Sequence, residues 1–445
     1  MLRTSTEMIF YNGVNSTNMR LLDLLNTSNQ LSTGKRILTP ADDPIASARV
    51  LETSQSKAVV KQFGDNIGYA NDGMALLETK LKGIEDIVRY VRRQTVYAGD
   101  GSLTPKDISY IEQDLRQQFE AILSLANTQD AHGDYIFSGY RTNDKPYDGT
   151  LGKITYHGDQ GERTIQVSNT RFMPITMPGT SIFDRSRNID VNALRTPSED
   201  KPTTNDALYS YRGAHNQGDS TALTVSFNTT PPANPGDPAA VDPNTDLGKR
   251  YILTYTQPDP DTYGTWGVEE LDSDGNRQTV TAAYTAPTPG TPGTLTFNGI
   301  TVEVPDDPPP VDPTDNTPLV DGDKFEVYVA SNSMFDNYAL FMSSLTEHSE
   351  VSVAGGVSFA LENFDYALEN ILTLHTQMGA QMNETQRLDD LGADLKLQYE
   401  KVISRFEDVD YTEAISNLMK ERTYLQAAQL TFTKISNLNL FNYLS

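Results

Sequence analysis

The residue types that most often carry out chemistry are sparse in this chain of 445 residues. It contains no cysteine and five histidines. The histidines are His132, His157, His215, His348 and His375. None of them lies three or four residues from another, which is the spacing that puts two metal ligands on one face of a helix. We therefore predict no catalytic residue, no cofactor-binding residue, no metal site and no disulfide, and we do not expect an enzyme.

Two short segments bear a superficial likeness to ligand-binding loops. Residues 32–35 read Ser-Thr-Gly-Lys, but a phosphate-binding loop needs a glycine where Asn29 stands and a serine or threonine where Arg36 stands. Residues 272–275 read Asp-Ser-Asp-Gly, yet the glutamate that closes a calcium loop is missing. A tight turn between two strands explains the second segment, so we interpret both segments as structural.

Proline divides the chain into three parts. Of its 24 prolines, three precede residue 140, the other 21 lie between Pro146 and Pro318, and none follows. Because proline interrupts a helix interior, the two ends are predicted to be helical and the middle to be extended and rich in turns. Strand-like alternation occurs in the middle at 154–156, 164–167, 222–227, 251–255, 294–304 and 324–329.

Long stripes at alternating spacings of four and three residues run through both helical parts, which predicts coiled-coil packing. The stripe after the middle comprises Ala360, Phe364, Ala367, Ile371, Leu374, Met378, Gln381, Thr385, Leu388, Gly392, Leu395, Tyr399, Val402 and Phe406. The stripe before it comprises Ile67, Ala70, Met74, Leu77, Leu81, Ile84, Val88 and Val91. A returning helix at 108–125 completes a predicted bundle.

The two chain ends carry shorter stripes of the same kind. Because these stripes are short and flanked by Thr, Ser and Asn, we expect the end helices to be loose in the monomer and ordered by neighbouring subunits. The alternative to this intersubunit role is an ordinary helical hairpin, in which the end helices pack within one chain. The predicted subunit interface consists of Phe10, Val14, Leu21, Leu24, Leu31, Leu418, Leu425, Phe432, Ile435, Phe441 and Leu444.

A specified joint between helices is predicted after the first stripe. Gly34 is placed to take the left-handed conformation that ends a helix, and Pro40 favours extended backbone before it. Asp43 can then cap the next helix, and Pro44 can open it because the first helical position needs no N–H donor.

The predicted fold class is α+β and elongated, with a long antiparallel coiled-coil bundle formed by both chain ends and an inserted proline-rich β domain. The predicted domains are terminal assembly helices at 1–34 and 407–445, a bundle with a small β region at 35–185 and 341–406, and an inserted outer β domain at 186–340. A hydrophobic content of 37% favours thin cores in an elongated molecule.

Charge and hydropathy exclude several partners. The net charge is −25, from 60 acidic and 35 basic residues, so nucleic acid is not an expected partner. No apolar stretch approaches the roughly 20 residues of a membrane span, and no membrane partner is expected. The first ten residues lack the apolar core of a signal peptide. If the protein leaves the cytoplasm, we expect a route without a cleaved signal.

Several segments resemble the bacterial flagellin superfamily, and within it the family of hook-filament junction proteins. Residues 30–37 (Gln-Leu-Ser-Thr-Gly-Lys-Arg-Ile), followed by Pro40 and Asp43, are similar to the amino-terminal signature of that superfamily. Residues 133–139 (Gly-Asp-Tyr-Ile-Phe-Ser-Gly) and the ending 440–444 (Leu-Phe-Asn-Tyr-Leu) are similar to junction-protein motifs. The likeness covers about 1–185 and 320–445.

The resemblance implies an extracellular structural protein of the flagellum, exported unfolded through the flagellar type III apparatus and placed at the distal end of the hook. Its implied partners are further copies of itself, other hook-associated proteins, flagellin and an export chaperone. Two alternatives remain open from the residues. One is flagellin itself, and the other is a surface adhesin whose β domain binds a ligand through aromatics such as Tyr251, Tyr255, Tyr263 and Trp266.

Overall fold

Helices form both ends of the described chain. The computed structural model describes residues 6–185, 208–212, 223–227, 247–257, 262–271, 277–288, 291–304, 319, 321–346 and 350–441. The helices are α1 (Thr6–Thr33), α2 (Pro44–Ala98), α3 (Pro105–Ala126), α4 (Thr180–Phe183), α5 (Met334–Thr346), α6 (Glu350–Glu407) and α7 (Tyr411–Phe441). The predicted order of helices, strands and helices is confirmed, and with it the α+β class.

Strands occupy the middle of the chain. They are β1 (Tyr147–Thr150), β2 (Lys153–Tyr156), β3 (Thr164–Gln166), β4 (Phe172–Pro174), β5 (Leu208–Arg212), β6 (Thr224–Phe227), β7 (Lys249–Thr256), β8 (Thr265–Leu271), β9 (Arg277–Thr279), β10 (Ala283–Thr285), β11 (Gly293–Phe297), β12 (Ile300–Val304) and β13 (Lys324–Val329). Two small sheets pair β1 with β2 and β3 with β4. A four-stranded sheet has the order β10-β11-β12-β6, and a five-stranded sheet has the order β5-β13-β7-β8-β9. We call β5 to β13 the inserted sheets.

The described chain divides into two compact units. The terminal unit comprises residues 6–68, 166–171 and 384–441. The central unit comprises the described residues of 69–165 and 172–383. The inserted sheets and α5 therefore belong to the central unit, and the two chain ends belong to the terminal unit.

The α2 stripe forms the helical core of the central unit. Each of its members there is at most 2% exposed: Ala70, Met74, Leu77, Leu81, Ile84, Val88 and Val91. Helix α3 begins with a capping box, in which the Thr104 hydroxyl accepts from the Asp107 backbone N–H and the Asp107 carboxylate accepts from the Thr104 N–H. Apolar periodicity and end signals in the sequence thus fix both helices.

Helix α5 packs into the same helical core. Its Tyr338 hydroxyl donates to the Leu115 carbonyl of α3 at 2.6 Å, and the Phe335 ring lies 5.8 Å from the Phe119 ring. Because α5 follows β13 directly, it joins the inserted sheets to the helices. The predicted domain boundary at residue 340 divides this helix.

The inserted sheets are held to the helices by apolar and ionic contacts. Leu340 of α5 and Phe359 of α6 share one buried cluster with residues of both larger sheets. Arg250 of β7 is fully buried, donates to both carboxylate oxygens of Glu326 at 3.2 and 2.7 Å, and donates to the Ser343 carbonyl of α5 at 3.3 Å. The Tyr328 hydroxyl donates to the same glutamate at 2.8 Å.

Turn chemistry shapes the hairpins of the inserted sheets. Asn298 and Gly299, between β11 and β12, have φ of +41° and +73°, as a two-residue turn matched to strand twist requires. Strands β8 and β9 pair antiparallel on either side of the predicted turn at 272–275, which lies outside the described residues.

Candidate assembly surface on the terminal helices

The terminal unit pairs the two ends of the chain. Helices α1 and α7 run antiparallel: Arg20 lies 3.6 Å from Glu421 in an ion pair, and a methyl group at Gly13 would come within 2.6 Å of the Phe432 ring. The Arg20 guanidinium also stands over the Tyr424 ring at 5.2 Å. Each helix thus covers one face of the other within a single chain.

The residues predicted at the subunit interface differ in how deeply they are buried. Six are half-buried, on the stripe that each helix turns toward the other: Val14, Leu24, Leu31, Leu418, Leu425 and Phe432. Leu21 is exposed by 43%. The side chains of Phe10, Ile435 and Phe441, and the whole of Leu444, lie outside the described part of the chain. A role for these residues between subunits stays a prediction.

Both helices carry a second apolar face that the described chain leaves exposed. The outer face of α1 comprises Met8, Tyr11, Met19, Leu22 and Leu25, and the outer face of α7 comprises Tyr411, Ile415, Met419 and Leu430. At 3.6 residues per turn, each set shares one side of its helix, distinct from the stripe between the helices. We name these two sets the outer faces.

The sequence analysis missed the outer faces. Spacings of three and four residues link Met8 to Tyr11, Met19 to Leu22, and Ile415 to Met419, which is the periodic signal that could have identified them. That signal is weaker than the first stripe because asparagines and other polar residues interrupt it. A helix that is apolar on two sides normally has more than one neighbour.

The joint between α1 and α2 pairs with the joint between α6 and α7. Gly34 has a φ of +72°, a conformation that a residue with a Cβ adopts only at a cost. Its carbonyl accepts from the Val409 N–H at 3.0 Å, and the Arg36 N–H donates to the Glu407 carbonyl at 2.6 Å. These two hydrogen bonds make a short antiparallel bridge that holds both ends of the chain in register.

Asp43 caps α2 at this joint. One carboxylate oxygen accepts from the Ala46 N–H at 3.0 Å, and the other accepts from the Arg36 guanidinium at 3.3 Å. The bond from Ala46, and then the contact with Arg36, lower the pKa of Asp43. Pro44 is the first residue of α2, where its missing N–H leaves no bond unmade.

Pro40 lies in the turn that precedes this cap. In the same turn, Asp42 accepts from the backbone N–H groups of Leu38 and Thr39 at 3.0 and 2.7 Å. The bond from Thr39 lowers the pKa of Asp42. Carboxylates and backbone together therefore fix the path of the chain between the two helices.

An apolar groove adds to the uncovered surface of the terminal unit. It has a volume of about 320 Å³ and lies between α2 and α6, with Val60, Phe63, Leu388 and Leu391 among its walls. Elsewhere in the described residues, no cluster of three His, Cys, Asp or Glu side chains has the arrangement to hold a metal ion. Within that same part of the chain, no helix has the length and hydropathy needed to span a membrane.

Paired end helices, a buried helical core and exposed apolar faces define a structural protein built to assemble. The family models for the bacterial flagellin N-terminal and C-terminal helical regions match residues 5–142 and 361–444. Both end regions of the chain are thus similar to the helical regions of bacterial flagellin. Along its whole length it is similar to two proteins named flagellar hook-associated protein 3, from Salmonella typhimurium and Escherichia coli, each 24% identical over 440 residues and 99% of both chains.

Solved structures similar to this chain include FlgL of Xanthomonas campestris, 20% identical with a TM-score of 0.49, which covers 79% of this chain and 99% of its own. Another is the flagellar hook-associated protein 3 of Legionella pneumophila, 19% identical with a TM-score of 0.49, which covers 80% of this chain and 98% of its own.

These comparisons confirm the predicted resemblance and a structural role in the flagellum. The relatives are structural flagellar proteins and not enzymes, as the sequence predicts. Both full-length relatives are named as hook-associated proteins, and neither is named as a flagellin or an adhesin. In the inserted sheets, Tyr251 and Tyr255 are buried in the core, half-buried Trp266 packs against it, and Tyr263 is half-buried in the connection between β7 and β8.

Proposed function

We propose that this protein joins the distal end of the hook to the filament. The observation that carries the proposal is the similarity to two hook-associated proteins over 99% of their length and of this chain. A chain similar to such proteins only in its end helices would fit any member of the flagellin family. Here the likeness includes the inserted part, which favours the junction over the filament.

Assembly would proceed through the outer faces of α1 and α7. Each large apolar side chain that leaves water contributes about 1.5–3 kcal/mol, so a face of four or five such residues supplies the driving force for helix association. Neighbouring copies of this chain, other hook-associated proteins and flagellin are the proposed partners. The half-buried stripe between α1 and α7 would be closed further by the same neighbours.

In this proposal, each predicted domain has its own role. Segments 1–34 and 407–445 would form the assembly helices, 35–185 and 341–406 the surrounding bundle, and 186–340 an outward β domain. The chain would leave the cell unfolded, without a cleaved signal and with an export chaperone. Absence of cysteine suits such a route, because no thiol needs protection outside the cell.

The test is a strain that lacks this protein, observed by electron microscopy. We expect complete hooks without filaments and flagellin released into the medium, and we expect the intact gene to restore filaments. Normal filaments in the deletion strain would exclude the junction role. Shortened hooks would also exclude it, since they would place the protein earlier in assembly.

A further inference from the structure

Helices α2 and α6 run through both compact units, but the helices that pack against them do not. In the central unit, a methyl group at Gly83 of α2 would come within 3.3 Å of Leu125 of α3. The Tyr338 ring of α5 lies 5.5 Å from the Phe364 ring of α6. All residues of α3 and α5 belong to the central unit. The apolar groove between α2 and α6 lies in the terminal unit, on the part of these helices that α3 and α5 do not cover.

Two glycines widen this groove. Val60 and Leu395 on its walls are half-buried, and Leu391 is exposed by 53%. A methyl group at Gly64 of α2 would have open space around it, and one at Gly392 of α6 would meet only Val60, at 3.7 Å. Glycine costs helix stability relative to alanine, so these positions provide room at the expense of the isolated chain. The groove can therefore receive side chains that the described part of the chain does not supply.

The segment 166–171 holds one end of the groove in place. The Asn66 amide of α2 donates to the Gln166 carbonyl at 2.6 Å. The Arg171 guanidinium donates to both carboxylate oxygens of Glu384 on α6, at 2.6 and 2.5 Å. Val167 of the same segment is 1% exposed and lines the groove. The groove is thus formed within the monomer, which lowers the cost of ordering it when another helix binds.

Charge favours a second copy of this chain as the occupant of the groove. The net charge of −25 makes whole copies repel one another. Helices α1 and α7 are exceptions, because together they carry four acidic and four basic residues. The charged residues that line the groove are also balanced, and they are Lys61, Asp65, Asp389 and Lys396. The groove and the end helices are therefore surfaces through which two copies can meet without net repulsion.

Of the two end helices, α1 fits the groove better. Its outer face includes three long apolar side chains that are exposed, Met19, Leu22 and Leu25. The charged residues between positions 8 and 33 are Arg20 and Asp23, which lie 3.9 Å apart in an ion pair. On α7, Arg422 lies three residues after Met419 and so next to the outer face of that helix. The groove would bury this cation among apolar side chains, which is costly.

We propose that the groove of one copy receives the outer face of α1 from a second copy. In this contact, Met19, Leu22 and Leu25 enter the space that Gly64 and Gly392 leave open. Each copy carries one groove and one α1 face, so copies associate head to tail, and such an array closes into a ring when the rotation between neighbours permits it. This inference rests on the proposed function in one respect, because it requires copies of the chain to meet.

Cross-linking tests the contact without a cysteine background, since the chain has no cysteine. Full-length Leu22→Cys and Leu391→Cys chains are produced together in place of the native protein, and flagellar structures sheared from the cells are oxidised. We expect this pair to give a disulfide-linked dimer. Asp390→Cys replaces Leu391→Cys in the control, because Asp390 points about 100° away from Leu391 around α6 and does not line the groove.

Three outcomes would overturn the proposal. They are no dimer from the Leu22→Cys and Leu391→Cys pair, an equal yield with Asp390→Cys, and a dimer of Leu391→Cys with Met419→Cys in place of Leu22→Cys, which would put α7 in the groove. The cross-link is scored on copies from the cell surface whether or not the hooks bear filaments. It can therefore fail while the junction role stands, and normal filaments in the deletion strain would exclude the junction role without removing the cross-link.

A second test fills the groove. Gly392→Leu should leave the unfolding midpoint of the purified monomer unchanged or higher, because leucine favours a helix more than glycine does and its Cβ has room. When it is added to the Leu391→Cys chain, we expect the yield of dimer with Leu22→Cys to fall several-fold. Gly379→Leu is the matched control, since it makes the same change on α6 in open space of the central unit and should leave the yield unchanged. Equal yields from the two leucine variants would overturn the proposal.

Discussion

The stripe of α2 in the central unit and the stripes of α1 and α7 in the terminal unit have the same spacing and different surroundings. Leu81 in the first is fully buried, together with the rest of its stripe. Leu24 and Leu425 in the second are only half-buried, while Leu22, on the outer face of the same helix, is exposed by 65%. The central unit completes its core within one chain, and the terminal unit does not.

This difference shows that apolar spacing identifies a buried face without identifying what buries it. In the central unit, helix α2 meets α3 and α6, and every member of its stripe is buried. Helices α1 and α7 meet each other and still present apolar residues to water. Under the proposed assembly, the chain ends would gain stability when neighbouring subunits cover these faces.

The largest expected contrast is between two ion pairs. Arg250→Ala leaves Glu326 buried without its partner and should lower the free energy of unfolding by about 3–5 kcal/mol. Arg20→Ala removes a partly exposed partner of Glu421 and should cost at most about 1 kcal/mol. Chemical denaturation measures both. Similar costs for the two variants would mean that the Arg20–Glu421 pair is as shielded from water as the Arg250–Glu326 pair.

A second contrast uses one chemical change in both regions. Leu81→Ala opens a cavity in a fully buried stripe and should cost about 2–5 kcal/mol. Leu22→Ala, on the outer face of α1, should stay within about 0.5 kcal/mol in the isolated subunit. Urea titration of purified monomers checks the pair. A cost above about 1.5 kcal/mol at Leu22 would place its side chain inside a monomer core.

The smallest expected contrast is between two substitutions at the joint between α1 and α2. Asp43→Ala removes the side-chain cap of α2 and should lower the denaturation midpoint, whereas Asp43→Asn keeps an acceptor and should lower it less. Lowered pKa values of Asp42 and Asp43 mean that the stability contributed by these carboxylates is present above about pH 4 and lost in acid. Equal stability of Asp43→Ala and Asp43→Asn would show that the capping bond contributes nothing.

Much of the helical architecture was predictable because local patterns determine it. The α2 stripe matches the observed core residue by residue, and Pro44 opens α2. Helix α5 was harder to identify, since a short apolar run directly after a strand gives no clear period. Its burial depends on α3 and on the inserted sheets, which the local sequence does not encode.

Contacts between distant residues were not predictable from one sequence. Arg250 and Glu326 are 76 residues apart, and no local pattern in either segment predicts their ion pair. The outer faces could have been found by a second search for helical spacing, but whether a second copy covers them is a property of the assembly.

The central claim is that the outer faces of α1 and α7 are the assembly surface. It is tested most directly with Met419→Asp, which puts a charge on the outer face of α7, where the native side chain is exposed by 61%. Lys420→Asp is the control, because Lys420 is exposed and, as the next residue, points about 100° away from Met419 around the same helix. Leu425→Asp is less decisive, since Leu425 also faces α1.

The measurement is the fraction of hooks that bear filaments when each variant replaces the native protein, together with the free energy of unfolding of each purified monomer. We expect Met419→Asp to leave the monomer within about 0.5 kcal/mol of the native value and to abolish filaments, and Lys420→Asp to support them. Normal filaments with Met419→Asp, and none with Leu425→Asp, would contradict the account and place the subunit contact on the stripe between the helices.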